Sequence, residues 1–201
     1  MENNRTTNLT FVLEEDGISF FFPLMQQGFM VKTRVGCSIR QMLCEAFHVT
    51  PEYVSGRIKT LFLNGKPVDD VDTAMIRDGS TLALSAAMPG LVGATFRCGG
   101  PLIAFRSGIT HREEGTLSSS EEGLVCLKLF NLLVAEMGPA FLKHGIWFSG
   151  RDFEAFLNGL PGDFWSALVS VRKNGESIAP DSLRSLESSD VIHLKVETPD
   201  H

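Results

Sequence analysis

The sequence predicts an α+β fold built from two similar units, and three observations lead to this prediction. An Asn-Gly dipeptide stands at Asn64-Gly65 and again at Asn174-Gly175, 110 residues later. Each half contains one segment with helical apolar spacing among short β-type segments, so we expect one helix to cover one sheet in each half. Apolar positions also coincide under the constant offset, which indicates a unit used twice; the matched pairs are Leu61 with Val171, Val68 with Ile178, Ile76 with Leu186, Leu82 with Ile192 and Leu84 with Leu194.

The first half reads as a hairpin, a helix and further strands. The helix is predicted over residues 38–47, because Ser38 is an N-cap residue type and the apolar residues after it recur at i, i+3, i+4, i+7 and i+8. Pro51 helps to end it. Asn64-Gly65 predicts a tight turn between antiparallel strands, and Asp78-Gly79 marks another turn. The predicted strands are 18–23, 29–35, 58–63, 66–68 and 81–86.

The second half repeats this order. A strand is predicted over residues 124–131 with 146–148 as its partner, followed by a helix over 149–160. Ser149 is its expected N-cap, and Asp152 stands at the capping-box position. The strands 168–173 and 191–196 complete the half, separated by the Asn174-Gly175 turn.

A Gly-, Ser- and Glu-rich stretch from Ser107 to Gly123 interrupts the apolar pattern and predicts a linker. The expected domains are therefore residues 1–106, ending in a hairpin around 94–106, and residues 124–201, with the linker 107–123 between them. A single irregular α+β domain is the alternative interpretation.

Composition excludes several classes of protein. Hydrophobic residues make up 43% of the 201 residues and charged residues 21%, which is typical of a globular chain. No apolar run is long enough for a membrane helix, and the polar start is unlike a signal peptide, so we expect a cytoplasmic protein without membrane contact. The net charge of −6 argues against a nucleic-acid partner.

The second half resembles the β-grasp, ubiquitin-like sulfur carriers, typified by the small subunit of molybdopterin synthase and the thiamine-biosynthesis sulfur carrier. The likeness covers roughly residues 123–197 and lies in Leu127-Lys128-Leu129-Phe130, Glu136-Met137-Gly138, the helix after Ser149, Val171-Arg172-Lys173-Asn174-Gly175 and Ser189-Asp190-Val191-Ile192. The first half is similar in Leu61-Phe62-Leu63-Asn64-Gly65, Asp78-Gly79-Ser80-Thr81-Leu82 and Met88-Pro89-Gly90-Leu91-Val92-Gly93. The resemblance implies two tandem β-grasp domains, each a mixed sheet packed on one main helix.

The carrier chemistry of that family resides in a C-terminal Gly-Gly. Here the last residues of the sequence are Glu197-Thr198-Pro199-Asp200-His201, and Gly99-Gly100 is internal. We therefore expect a carrier-like fold without the carrier reaction.

Cys98, Gly99 and Gly100 are the candidate site residues, and three interpretations of them stay open. Two alternating runs flank Cys98-Gly99-Gly100-Pro101, which favours a hairpin turn. A reactive thiol at Cys98 and a carrier terminus exposed by cleavage after Gly100 are the alternatives. No motif places a base beside Cys98, and no His, Cys or Asp spacing predicts a metal site, so we expect no catalytic residue, metal or cofactor. The turn-like Asp69, Asp70 and Asp72 are expected to be solvated.

The sequence favours a non-catalytic, sulfur-carrier-like protein that acts through protein–protein binding. Phe20, Phe21 and Phe22 would put aromatic groups on both faces of one strand, and one helix covers only one face of a sheet. The neighbouring domain, the 94–106 hairpin, a second copy of the chain or a partner protein is then needed to cover the other face. An active sulfur carrier or pathway component with a processed Gly-Gly terminus, and a module that binds a small molecule between the domains, are the alternatives.

Overall fold

The computed structural model describes residues 5–87, 121–185 and 191–199. They form two compact units, each assembled from its own stretches of chain. Unit 1 comprises Met1–Leu24 and Met137–His201, and unit 2 comprises Met25–Glu136. The expected α+β class is confirmed, with mixed parallel and antiparallel strand pairing and several helices.

The described residues contain twelve strands, in chain order β1 (Thr6–Leu13), β2 (Phe29–Arg34), β3 (Cys37–Ser38), β4 (Thr60–Leu63), β5 (Lys66–Pro67), β6 (Met75–Ile76), β7 (Thr81–Ser85), β8 (Glu122–Phe130), β9 (Ile146–Ser149), β10 (Leu168–Lys173), β11 (Glu176–Ile178) and β12 (Val191–Glu197). The α-helices are α1 (Phe22–Gln27), α2 (Ile39–Gln41), α3 (Pro51–Gly56), α4 (Leu132–His144), α5 (Gly150–Gly159) and α6 (Gly162–Ala167). A π-helical turn, Met42–Ala46, continues α2, and short 3₁₀ segments cover Glu15–Phe21 and Pro180–Ser185.

Unit 2 places its strands in the order β2-β8-β7-β4-β5. The central pair, β8 and β7, is parallel, and the other neighbours are antiparallel. Alternate residues of these strands are buried on one face, and the helical segment after Ser38 packs on β2. The core of the unit therefore lies on one side of its strands.

Unit 1 uses the order β11-β10-β1-β12-β9. Its central pair, β1 and β12, is also parallel, and β9 and β10 flank the pair in antiparallel orientation. Helix α5 packs on β9 and β12 and buries Phe153 and Leu157. Phe11 of β1 contacts Phe153 and Phe164, with ring centroids 6.4 and 6.1 Å apart.

The two units have the same strand arrangement and register, but the chain supplies their central strands differently. Leu63 lies opposite Leu82 in unit 2, whereas the matched Lys173 lies opposite Leu9 in unit 1. Thus β1, from the start of the chain, takes the place in unit 1 that β7 has in unit 2. In the same way β8, from the middle of the chain, takes the place in unit 2 that β12 has in unit 1. Unit 1 therefore joins the two ends of the chain, and unit 2 is one continuous segment that crosses the middle of the chain.

The two Asn-Gly turns are confirmed, and each holds one of the central strands. Asn64 and Asn174 have φ near 51°, and the glycines after them also have positive φ, as a tight hairpin turn requires. The Asn64 side-chain oxygen accepts from the Thr81 amide at 2.8 Å. The Asn174 oxygen accepts from the Asn8 amide at 3.0 Å. The same turn therefore clamps β7 in unit 2 and β1 in unit 1.

Three predicted strand relations are wrong. Residues 18–23 are helical, because Phe21 and Met25, four residues apart, are both buried and the Phe21 ring packs 5.2 Å from Phe156. Strand β8 does not pair with β9, since β2 and β7 occupy its two edges. Leu82 corresponds in space to Leu9 rather than to Ile192, because β1 occupies that central place.

Both helix starts are confirmed. The Ser38 hydroxyl accepts from the Gln41 amide, and the Gln41 side chain completes a capping box. The Ser149 hydroxyl accepts from the Asp152 amide at 3.1 Å. Pro51 begins the next helix, α3, instead of only ending the previous one.

The linear division into residues 1–106, 107–123 and 124–201 stays a prediction, and most of the expected linker lies outside the described residues. The compact units are a different division, because strand pairing joins β1 to the C-terminal half and β8 to the N-terminal half. Within the described ranges, none of the helices has the length and apolar character needed to cross a membrane.

The strand arrangement predicts a disulfide that a contiguous N-terminal unit would not form. Thr10 lies directly opposite Arg172, at the Cα separation of about 4.5–5.5 Å typical of antiparallel neighbours, which a disulfide can span. We expect the variant Thr10→Cys/Arg172→Cys to form this bond, detected by peptide mapping under non-reducing conditions. Phe62→Cys/Ala83→Cys, the matching pair in unit 2, is the control. A cross-link in the control alone would contradict the placement of β1.

Candidate functional site

The candidate site lies on the outer face of unit 2, defined as the face of β2, β4, β7 and β8 opposite the buried rows. Along β8 the buried Val125, Leu127 and Leu129 alternate with side chains on this outer face. Phe130 is 37% exposed and Leu124 is 39% exposed. The face carries Met30, Lys32, Arg34, Thr60, Phe62, Thr81, Ala83, Ser85, Glu122, Leu124, Cys126, Lys128 and Phe130.

A cavity of about 290 Å³ opens on this face where β4, β7 and β8 run side by side. The register explains its position, because Phe62 lies opposite Ala83 and Ser85 lies opposite Phe130. The small Ala83 and Ser85 leave space between the two aromatic rings. The lining is almost wholly apolar and consists of Thr60, Phe62, Ala83, Leu84, Ser85, Ala87, Phe130 and Asn131.

Asn131 fixes the rim of the cavity. It has φ of 57°, a left-handed conformation that Asn tolerates better than most residues. Its side-chain amide donates to the Ser85 hydroxyl at 2.9 Å and to the Ala87 carbonyl oxygen. The end of β7 is thereby tied to the junction between β8 and α4.

The corresponding part of unit 1 is charged instead of apolar. The register matches Phe62, Ala83 and Phe130 with Arg172, Thr10 and Glu197. Arg172 Nη2 lies 2.5 Å from Glu197 Oε2, so an ion pair spans the position at which unit 2 has its cavity. The same strand arrangement therefore carries two different surfaces.

His193 lies on the outer face of unit 1 and is half-buried. Its ring stacks on Trp147 with centroids 4.4 Å apart, and its Nδ1 lies 3.3 Å from Asn8 Oδ1. A Cβ on Gly145 would come within 2.1 Å of the His193 ring, so only glycine fits there. Burial, with smaller contributions from the Lys195 and His144 charges, lowers the pKa of His193.

Tyr53, Arg57 and Glu136 form a polar cluster that joins the α3 region to α4. The Tyr53 hydroxyl donates to Glu136 Oε2 at 2.5 Å, and Arg57 forms an ion pair with the same carboxylate. Hydrogen bonds from Arg57 and Tyr53 lower the pKa of Glu136 to about 2, while burial and the Glu136 carboxylate raise the pKa of Tyr53. The carboxylate is thus ionised and committed to a structural contact.

The described thiols are weak nucleophiles. Burial raises the pKa of Cys37, Cys44 and Cys126, which favours the protonated form. The candidate residues Cys98, Gly99 and Gly100 lie outside the described residues.

The predicted acidic cluster is a hydrogen-bonded turn. Arg40 forms a bidentate pair with Asp72 at 2.6 and 3.1 Å, and Asp70 accepts from the Asp72 amide. In the ranges that the structure describes, no group of three or more His, Cys, Asp or Glu residues could hold a metal ion.

Sequence reasoning missed the cavity, although one signal for it is present. Phe62 stands between the buried Leu61 and Leu63, and Phe130 follows the buried Leu129, so both strands are apolar on their two faces. An apolar side chain on the face of a strand that points away from the core indicates a surface that contacts another element or molecule.

Comparison of the chain with protein-family models, curated proteins and solved structures gives no match. The geometry alone therefore has to support a function.

Replacing Asn131 should separate backbone strain from hydrogen bonding. We expect Asn131→Ala to lower the free energy of unfolding by about 2–3 kcal/mol, from two lost hydrogen bonds and the cost of positive φ. Asn131→Gly loses the same bonds without that backbone cost, so about 1–2 kcal/mol is expected. Urea unfolding of both variants measures the difference; equal losses would contradict the role of the left-handed backbone.

His193 should make stability depend on pH. Because its folded pKa is lowered, the unfolded chain takes up the proton more readily. The free energy of unfolding should then fall as pH drops below the ordinary value near 6.5, and should level off below the folded pKa. Denaturant unfolding between pH 8 and 5 measures this slope. We expect His193→Gln to reduce it and His48→Asn, at an exposed histidine, to retain it; an unchanged slope in His193→Gln would refute the assignment.

Proposed function

We propose that this chain is a non-catalytic, sulfur-carrier-like protein with two β-grasp units that acts through protein–protein binding. The binding surface in this proposal is the outer face of unit 2, and the cavity between Phe62 and Phe130 is its centre.

The strand arrangement supports the β-grasp part of the proposal. Each unit has a parallel central pair with antiparallel strands on both sides, and helical residues pack on one face. Both main helical segments begin at a capping serine, Ser38 or Ser149. In a simple tandem of this fold, each domain would take all its strands from its own half of the chain. The exchange of the central strands β1 and β8 departs from that arrangement.

The observation that carries the binding role is the difference between matched positions. Unit 1 shows that this arrangement accommodates an ion pair, Arg172 with Glu197, over Thr10. Unit 2 has Phe62 and Phe130 around a cavity at the same place. Stability of the fold does not require aromatic side chains there, and a concave apolar site is where a partner side chain is desolvated best.

The chemistry of the described polar groups supports a non-catalytic role. The thiols of Cys37, Cys44 and Cys126 are held protonated, and Glu136 is held ionised in its contact with Arg57 and Tyr53. The raised pKa values favour the weakly nucleophilic thiol form, and the lowered pKa makes the Glu136 carboxylate a weak base.

Transplanting the ion pair of unit 1 into unit 2 tests the proposal. Phe62→Arg/Phe130→Glu should fold, because the same pair is accommodated in unit 1, and should abolish partner binding by filling the cavity with charge. Ala83→Leu should weaken binding by filling the cavity without charge. The partner is isolated with the wild-type chain from its native host, and affinities are then measured by calorimetry with the purified partner.

Val169→Ser and Leu132→Ser, at residues 54% and 58% exposed outside the cavity, are the matched controls. Circular dichroism and thermal unfolding establish folding for every variant. A partner whose affinity is unaffected by Phe62→Arg/Phe130→Glu would overturn the assignment of the face.

A further inference from the structure

The outer face of unit 2 carries an excess of positive charge, although the whole chain has a net charge of −6. Lys128 lies opposite Ala83, so it is the neighbour of the cavity on this face. Lys32 and Arg34 continue the face along β2. Within the described strands of the face the carboxylate is Glu122, and it lies 2.7 Å from Lys32. Arg34 and Lys128 therefore give the face its positive character.

We propose that the partner presents an extended acidic segment with one bulky apolar side chain. This inference rests on the proposed function and adds the chemistry of the partner. The apolar side chain enters the cavity between Phe62 and Phe130, and carboxylates of the segment meet Lys128 and, farther along, Arg34. Charge complementarity of this kind selects the partner and its register.

The strand geometry gives the spacing. Phe130 and Lys128 are two residues apart on the same face of β8, roughly 7 Å. Arg34 lies opposite Glu122, eight residues from Phe130, roughly 27 Å along the strand. An extended segment lying along β8 would thus place its first Asp or Glu two residues from the apolar anchor.

The matched lysine in unit 1 provides a control. Lys195 lies opposite Thr10, as Lys128 lies opposite Ala83, but the neighbouring position there is occupied by the Arg172–Glu197 pair. A general preference of the chain for acidic peptides would involve both lysines, whereas the proposed site involves Lys128 alone.

The test selects random 12-residue peptides displayed on phage against the full chain. We expect enrichment of Phe, Trp, Leu, Ile or Met with Asp or Glu two positions away. A synthetic peptide of the selected sequence should bind Lys128→Glu about tenfold more weakly, and Lys195→Glu within about twofold of wild type. Its affinity for the wild type should fall with added salt, which tests the charge contacts without any variant.

Each other outcome overturns the inference. The selection could instead yield apolar peptides without acidic residues. If those peptides no longer bind Phe62→Arg/Phe130→Glu, the acidic partner is refuted while the proposed function stands. Acidic peptides that bind Phe62→Arg/Phe130→Glu unchanged would refute both. Failure of the wild type to select any peptide would refute the acidic partner. Ultracentrifugation tests for self-association of the wild type. If Phe62→Arg/Phe130→Glu abolishes both self-association and peptide binding, a second copy of the chain is the occupant of the face.

Discussion

The pairing of two parallel strands at the centre of each unit is the constraint on which the rest of the structure depends. Parallel neighbours need a long connection, so the two central strands of a unit come from distant parts of the chain. In unit 2 they are β7 and β8, and in unit 1 they are β12 and β1. Asn64 and Asn174 act as the local fixing point in both cases, because each accepts a hydrogen bond from the central strand beside its turn.

Local features of this fold could be predicted from the sequence, because their causes are local. Ser38 and Ser149 cap helices through residues three positions away, and the Asn-Gly turns need only their own backbone angles. The assignment of central strands could not be predicted in the same way. Alternating apolar residues in Leu9, Phe11 and Leu13 fit a central strand, and so do those of Ile192, Leu194 and Val196. Nothing in the alternation decides which place each strand takes.

The candidate cavity is harder to predict because three strands create it. Phe62, Ala83 and Phe130 become neighbours only through the register of β4, β7 and β8, whereas the sequence pattern predicts β9 as the partner of β8. The run of aromatic residues at Phe20, Phe21 and Phe22 has an explanation other than a strand with two apolar faces. Helical spacing buries Phe21 against Phe156 and Phe164, and the Phe20 ring also packs against Phe164, so these two rings belong to the aromatic cluster of unit 1.

Comparison of matched positions in the two units distinguishes residues that the strand arrangement requires from positions at which it accepts different side chains. Gly28 and Gly145 both precede the strand that flanks the central pair, both have positive φ, and an added Cβ would meet the side chain of Cys126 or His193. This close approach of a side chain to the glycine occurs in both units, so the strand arrangement itself requires glycine at these two positions. The outer faces differ, with an aromatic cavity in one unit and an ion pair in the other. Since the backbone accommodates either, the strand arrangement by itself does not require aromatic side chains at positions 62 and 130.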